Sequence, residues 1–131
     1  MRPRPVHVPG KPKCGYPYSP AVVAGNLVFV SGHAGEDPAT HKTQPTIEAQ
    51  TEQCLENIKL LLEVAGTSFR DVVKVAVFLQ NIEDFEAMNG VYRRYFSDNP
   101  PARTTVGASL AGAGLLVEID MIALLPGAGT Q

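Results

Sequence analysis

The segment from Ile47 to Ala65 restricts most strongly what this chain can fold into. Its apolar residues recur at spacings of three and four, so a helix places them all on one face. Thr46 can cap the N-terminus of that helix, and Gly66 suits the left-handed conformation in which helices often end. A helix with one apolar face has to bury it against another element, so the rest of the chain must supply a partner surface.

Segments rich in apolar and β-branched residues predict that this partner is a sheet. Gly25-Asn26 separates two short apolar runs, and such a two-residue connection is typical of a β-hairpin because both residues tolerate a positive φ. We expect strands at 21–24, 27–31 and 72–79, and near 103–109 and 115–125.

A second amphipathic helix is predicted between the third and fourth strands. Asn81 is expected to cap it, and Pro100-Pro101 ends the helical pattern. Its apolar side carries Phe85, Met88, Tyr92, Tyr95 and Phe96. The order of elements is therefore ββαβαββ, an α+β fold in which both helices pack on one face of a mixed sheet.

The last predicted strand is apolar on both of its faces. Leu115, Val117, Ile119 and Met121 alternate there with Leu116, Glu118, Asp120 and Ile122. A strand with one face in water would alternate more cleanly between apolar and polar residues. We therefore expect the second face of the sheet to be buried against other subunits of a closed homo-oligomer.

Composition narrows the class of protein. The chain has 131 residues, 44% of them hydrophobic, which predicts one domain over 1–131 with an extended lead at 1–15 and a tail at 126–131. A formal net charge of −2 gives no global field that favours nucleic acid or an anionic membrane. The basic lead lacks the apolar region of a secretory signal, and no apolar run is long enough to span a membrane. Cys14 and Cys54 fit no zinc or redox spacing, so a reduced cytosolic protein is expected.

Two charged residues on neighbouring predicted strands suggest a site for a small carboxylate. Arg103 can bind a planar carboxylate with two parallel hydrogen bonds, which a lysine cannot imitate. Glu118 lies inside an apolar strand and could move a proton or orient water. The candidates for further polar contacts with this small carboxylate are Tyr18, Ser31, Asn89 and Thr105.

Other kinds of site receive little support from the residues. His33, Asp37 and His41 could be imagined as metal ligands, but a proline interrupts their loop and no metal is expected. Gly112-Ala113-Gly114 precedes a strand and lacks the third glycine of a dinucleotide loop, so no dinucleotide or phosphate loop is expected. Asn89 could equally cross-link a loop, and Glu118 could simply face solvent.

Several short motifs occur in an order that resembles the RidA/YjgF family of reactive-intermediate deaminases. They extend from about Tyr16 to Leu125: Tyr16-Pro17-Tyr18-Ser19-Pro20-Ala21, Val30-Ser31-Gly32, Glu48-Ala49-Gln50-Thr51, Asp71-Val72-Val73-Lys74, Asn89 with Tyr92, Pro101-Ala102-Arg103-Thr104 and Val117-Glu118-Ile119. The resemblance implies a chorismate-mutase-like fold and a homotrimer with its sites in clefts between subunits. It also implies hydrolysis of enamines and imines, such as 2-aminoacrylate, to 2-oxo acids and ammonia without a metal or cofactor.

The resemblance also assigns roles to individual residues. Arg103 matches the arginine that binds the substrate carboxylate, and Glu118 matches the glutamate associated with the attacking water and proton transfer. Tyr18, Ser31, Gly32 and Asn89 match residues at the cleft, and Thr105 occupies a position where cysteine is common.

Two departures from the family pattern bear on specificity. His33 stands where glutamine is frequent, and Gly107-Ala108 replaces a larger, often acidic pair. Gly107 could widen the pocket or accommodate a subunit contact.

Two other functions stay open at this point. The same cleft could belong to a noncatalytic trimer that senses 2-oxo acids or related small carboxylic acids. A ribonuclease or translation inhibitor is a further alternative, which the near-neutral composition disfavours.

Overall fold

The computed structural model describes residues 2–12 and 15–127, and within them a six-stranded mixed sheet and two α-helices. The elements in chain order are β1 (Arg4–Val6), β2 (Ala21–Ala24), β3 (Leu27–Ala34), α1 (Ile47–Ala65), β4 (Val72–Leu79), α2 (Phe85–Tyr92), β5 (Ala102–Gly107) and β6 (Val117–Leu124). The strands lie in the order β1-β2-β3-β6-β4-β5. Among the strands of the described residues, only β4 and β5 pair in parallel. The predictions about Cys14 and about the last four residues of the tail fall outside the described residues.

The local predictions for the hairpin and for α1 are confirmed. Ala24 pairs with Leu27 across the two-residue turn, where Gly25 has a φ of +61°. The backbone N–H of Ala49 donates to Thr46 Oγ1 at 3.1 Å, and Gly66 ends the helix in the left-handed region with a φ of +98°. The helix α1 therefore begins and ends where the sequence predicts.

The structure differs from the predictions in several places. Arg4–Val6 forms β1 and pairs with β2, so the lead adds a short edge strand and the order is βββαβαββ. Asn81 does not cap α2, because a 3₁₀ turn at Ile82–Asp84 comes between them and the Asn81 side chain makes no capping hydrogen bond. The helix itself spans only Phe85–Tyr92, so Tyr95 and Phe96 follow its end instead of lying on its apolar side.

Both helices pack on one face of the sheet, as predicted, and the core lies between the two layers. α1 lies against β3 and β6, and α2 lies beside α1. The core-facing positions of the neighbouring strands β4 and β6 are fully buried: Val75, Val77 and Leu79 of β4, and Val117, Ile119, Met121 and Ala123 of β6. Alternate residues of these strands therefore face the helices.

The opposite face of the sheet carries exposed apolar side chains. Val22, Phe29 and Ile122 are paired in one row across three strands. Phe29 and Leu124 each remain 41% exposed. A monomer rarely leaves such a surface in water, so its burial against further subunits stays a prediction. No helix in the described ranges has the length and apolar composition that crossing a membrane requires.

Candidate active site

The guanidinium group of Arg103 is held against two aromatic rings of α2. Arg103 is paired with the buried Val75, which places its side chain on the helix-facing side of the edge strand β5. Its Cζ atom lies 4.7 Å from the ring centroid of Tyr92 and 5.7 Å from that of Phe85. A cation within about 6 Å of an aromatic face is attracted by the ring quadrupole, so these contacts fix the position of the guanidinium.

A cleft of about 400 Å³ opens beside this arginine. It is lined by Asn89, Tyr92, Arg93, Phe96, Ser97, Pro100 and Arg103. Arg103 forms no ion pair with any carboxylate of the described chain. The predicted contact residue Asn89 therefore lies in the same cleft as Arg103, and the guanidinium keeps its capacity to bind an anion.

The Thr105 hydroxyl group, two residues along β5 from Arg103 and on the same face, is buried and has no hydrogen-bond partner among residues 2–12 and 15–127. The hydroxyl group of Tyr92 is also buried. Burial raises the pKa of Tyr92, and the charge of Arg103 and its hydrogen bond with the Tyr92 side chain partly oppose that rise. Because buried polar atoms are normally satisfied, the unpaired Thr105 hydroxyl marks the stretch of β5 next to Arg103 as unusual.

Glu118 lines a different and larger cleft of about 600 Å³, together with Tyr18, Gly32 and His33. Gly32 makes room for it: a Cβ atom at Gly32 would collide with Glu118 Oε2 and lie 3.0 Å from its Cδ. The pairing of β3 with β6 shifts register between Val30 and His33. Such an irregularity re-aims side chains next to a site.

Ser31 and His33 hold the loop that carries Tyr18. Ser31 Oγ donates to the carbonyl oxygen of Ser19 at 2.6 Å, and the Ser31 N–H donates to that of Pro20 at 2.9 Å. His33 Nε2 lies 3.3 Å from the same Pro20 oxygen. Tyr18 is 55% exposed and its ring stacks with that of Tyr16. In this structure, then, Ser31 anchors the Tyr18 loop through its hydroxyl group.

The two halves of the predicted site do not meet within one chain. Glu118 is paired with Phe78, on the sheet face away from the helices, whereas Arg103 is paired with the buried Val75 on the helix-facing side. The expectation that neighbouring strands bring the two charges together is therefore wrong for a single chain. Asn89 and Thr105 belong with Arg103, and Tyr18 and Gly32 belong with Glu118.

Gly107 does not line the cleft beside Arg103. A Cβ atom there would come 3.7 Å from Ile82 Cβ, an ordinary van der Waals contact. A wider pocket caused by Gly107 thus finds no support in this cleft.

Gln50 is a positioning residue that the sequence reasoning missed. Its buried amide donates to the carbonyl oxygens of Gln44 and Gly114 and accepts from the N–H of Leu116. These hydrogen bonds hold the loop before β6 against α1, and they therefore fix the start of the strand that carries Glu118. The available signal was a glutamine at a helix position four residues before the buried Cys54.

Comparisons with known proteins point to one family. The family model described as Endoribonuclease L-PSP matches residues 10–125. A RutC family protein of Pyrococcus horikoshii is 46% identical over 113 residues, covering 86% of this chain and 90% of that protein. Reactive Intermediate Deaminase A, chloroplastic, of Arabidopsis thaliana is 39% identical over 110 residues, covering 83% of this chain and 59% of that protein.

Solved structures show the same architecture. A crystal structure of a Thermotoga maritima protein superposes with a TM-score of 0.88 at 45% identity, covering 97% of this chain and 100% of that one. The structure of Escherichia coli TdcF with bound serine gives a TM-score of 0.85 at 29% identity, covering 92% of this chain and 98% of that one. The chain belongs to the Endoribonuclease L-PSP family, which is also known as the YjgF/RidA/RutC family.

Proposed function

We propose that this protein is a hydrolytic deaminase that converts 2-imino acids and enamines of the 2-aminoacrylate type to 2-oxo acids and ammonia. The observation that carries the proposal is the Arg103 guanidinium, which is fixed over Tyr92 at the edge of a cleft without a carboxylate partner in the described chain. An arginine held in this way is pre-organised to bind the planar carboxylate of a small acid.

The complete site spans two copies of the chain in a homotrimer. One copy supplies Arg103, Asn89 and Thr105, and its neighbour supplies Glu118, Tyr18 and Gly32. Three observations support this arrangement: the two sets lie on opposite faces of the sheet, the face that carries Glu118 has exposed apolar residues, and the buried Thr105 hydroxyl on the Arg103 side lacks a partner among the described residues.

The reaction follows from these groups. Arg103 binds the carboxylate and orients the adjacent C=N bond, and Glu118 accepts a proton from water as its oxygen adds to the imine carbon. The imine nitrogen takes up that proton to give a carbinolamine. The carbinolamine hydroxyl then passes its proton, by way of Glu118, to the nitrogen, so that the C–N bond breaks, the C=O bond forms and ammonia leaves. An enamine first takes a proton on carbon to become the imine. No electrons change hands, so the chemistry requires no redox cofactor.

The relatives support the same class of reaction. The Arabidopsis relative carries the name of a reactive intermediate deaminase, and TdcF binds serine, an amino acid with the α-carboxylate that Arg103 would bind here. A cytosolic location stays a prediction, because that plant relative is designated chloroplastic.

The test generates imino acids in place with an amino-acid oxidase and follows their decay with and without this protein. Wild type should accelerate decay, whereas Arg103→Ala and Glu118→Gln should each lose about 100-fold or more. Arg94→Ala, which removes an exposed arginine paired with Glu52, serves as the control and should retain activity. Decay no faster than in buffer for several side chains would end the proposal.

Mixing the two inactive variants tests whether the site spans two copies. After unfolding and refolding together in equal amounts, about one quarter of the sites should pair an intact Arg103 with an intact Glu118, because each side is intact in half of the copies. Activity should return to about that fraction. A mixture as inactive as its components would show that the two residues do not meet between chains.

The rival functions predict different results in the same preparation. A sensor would bind 2-oxobutanoate without speeding ammonia release. A ribonuclease, the activity in the family's description, would cleave RNA in a salt-sensitive manner and depend on basic surface residues rather than on Glu118.

A further inference from the structure

A second arginine lies in the cleft beside Arg103. Arg93 follows directly on the last residue of α2 and is one helical turn beyond Asn89, and both residues line the cleft. The seven lining residues include two guanidinium groups and no carboxylate. The cleft therefore carries a local charge of +2, although the whole chain has a net charge of −2.

Arg93 differs from the next residue, Arg94, in its pairing with carboxylates. Arg94 lies 3.8 Å from Glu52 in an ion pair, whereas Arg93 forms none with the described residues. Neither guanidinium group of the cleft, that of Arg93 or that of Arg103, is therefore paired with a carboxylate among the described residues.

We propose that this cleft selects substrates with two anionic groups, Arg103 binding the α-carboxylate and Arg93 the acid group at the far end of the side chain. This inference rests on the proposed deaminase function and specifies its substrate class as imino dicarboxylates. The cleft volume of about 400 Å³ is larger than the volume of a five-carbon diacid, so both acid groups of such a substrate can enter the cleft together.

Electrostatics favours the dianion over a monoanion of equal length. Two guanidinium groups in one cleft repel each other, and a single carboxylate neutralises only one of them. A second carboxylate satisfies both and adds charge-assisted hydrogen bonds. Arg93 is exposed, so solvent screening limits the effect.

The experiment compares 2-iminoglutarate with 2-iminopentanoate, which has the same carbon chain without the distal carboxylate. We expect wild type to prefer the dicarboxylate in kcat/KM by about tenfold, the factor that corresponds to about 1.4 kcal/mol. Arg93→Gln should abolish that preference by raising KM for the dicarboxylate alone. Arg93→Lys should restore part of it, and the matched control Arg94→Gln should leave it unchanged.

A binding measurement separates this inference from the proposed function. Calorimetry with the stable products, 2-oxoglutarate and 2-oxopentanoate, should show the same preference and the same dependence on Arg93. Equal kcat/KM values, or an unaltered preference in Arg93→Gln, would overturn the inference and leave the deaminase proposal standing. Failure to hydrolyse either imine would overturn the proposed function. The preference for binding 2-oxoglutarate over 2-oxopentanoate would then be the measurement that upholds or overturns the inference about two anionic groups.

Discussion

Replacing Gly32 with alanine should disable Glu118 without unfolding the protein. The added Cβ atom would collide with Glu118 Oε2 and lie 3.0 and 3.2 Å from its Cδ and Cγ atoms. All three atoms belong to a flexible, half-buried side chain rather than to the backbone, so the carboxylate can rotate away. Gly32 does not have a positive φ, so alanine causes no backbone strain.

The expected magnitudes differ sharply between activity and stability. A displaced general base typically costs 10²–10⁴ in rate, so Gly32→Ala should lower kcat about 100-fold. The free energy of unfolding should change by less than about 1 kcal/mol, because only a partly exposed side chain has to move. Imine decay coupled to an amino-acid oxidase measures the first quantity, and urea denaturation measures the second.

A double-mutant cycle and a glycine control make this test specific. In the Glu118→Gln background, Gly32→Ala should cost little further activity, because the group that it displaces is already missing. Gly90→Ala, in α2 where a Cβ meets no atom within 4 Å, should keep full activity and gain up to about 1 kcal/mol of stability. Wild-type kcat in Gly32→Ala, or fully additive losses in the double variant, would refute the reasoning.

Two further predictions concern groups that hold the site. Gln50→Leu leaves three backbone groups without their hydrogen bonds and should lower the free energy of unfolding, measured by urea denaturation, by about 2–3 kcal/mol. The control Gln53→Leu loses only side-chain partners and should lower it by less than about 1 kcal/mol. Equal losses in the two variants would contradict the role of Gln50. Burial lowers the pKa of His33 from its ordinary value of 6.5, against the opposing effect of the Pro20 hydrogen bond. The unfolded chain therefore takes up this proton first, and the free energy of unfolding should fall as the pH drops below about 6.5. His33→Gln should flatten that decline in guanidinium titrations, and an unchanged slope would exclude His33 as its source.

The features that the sequence predicts correctly are those set by local interactions. The ends of α1 depend on Thr46 and Gly66, which act on backbone groups within one turn, and the hairpin depends on two residues at Gly25. The sequence does not predict the short strand β1, because three residues of a proline-containing lead are too few to show an alternation of apolar and polar residues. Asn81 was misplaced as the cap because a 3₁₀ turn separates it from α2, and helix starts are ambiguous to a few residues.

The arrangement of the candidate site depends on strand order, which no local pattern encodes. The sequence places Arg103 and Glu118 on successive strands, but β6 inserts between β3 and β4 while β5 takes the edge. Which face each side chain occupies then follows from pairing with Val75 and Phe78, residues almost thirty and forty positions away.

This strand order also explains why one copy of the chain cannot complete the proposed site. Two helices and one sheet enclose a single cluster of buried apolar residues, and Glu118 lies on the other face of the sheet. A polar pocket with an arginine on one wall and a glutamate on the other needs a second layer facing the open side of the sheet. The partly exposed row through Phe29 and Ile122 leaves that side free to receive another copy, whose edge strand β5 can present Arg103 to Glu118. Assembly and catalysis would then depend on the same contact, so weakening the interface should remove activity before it unfolds the subunits.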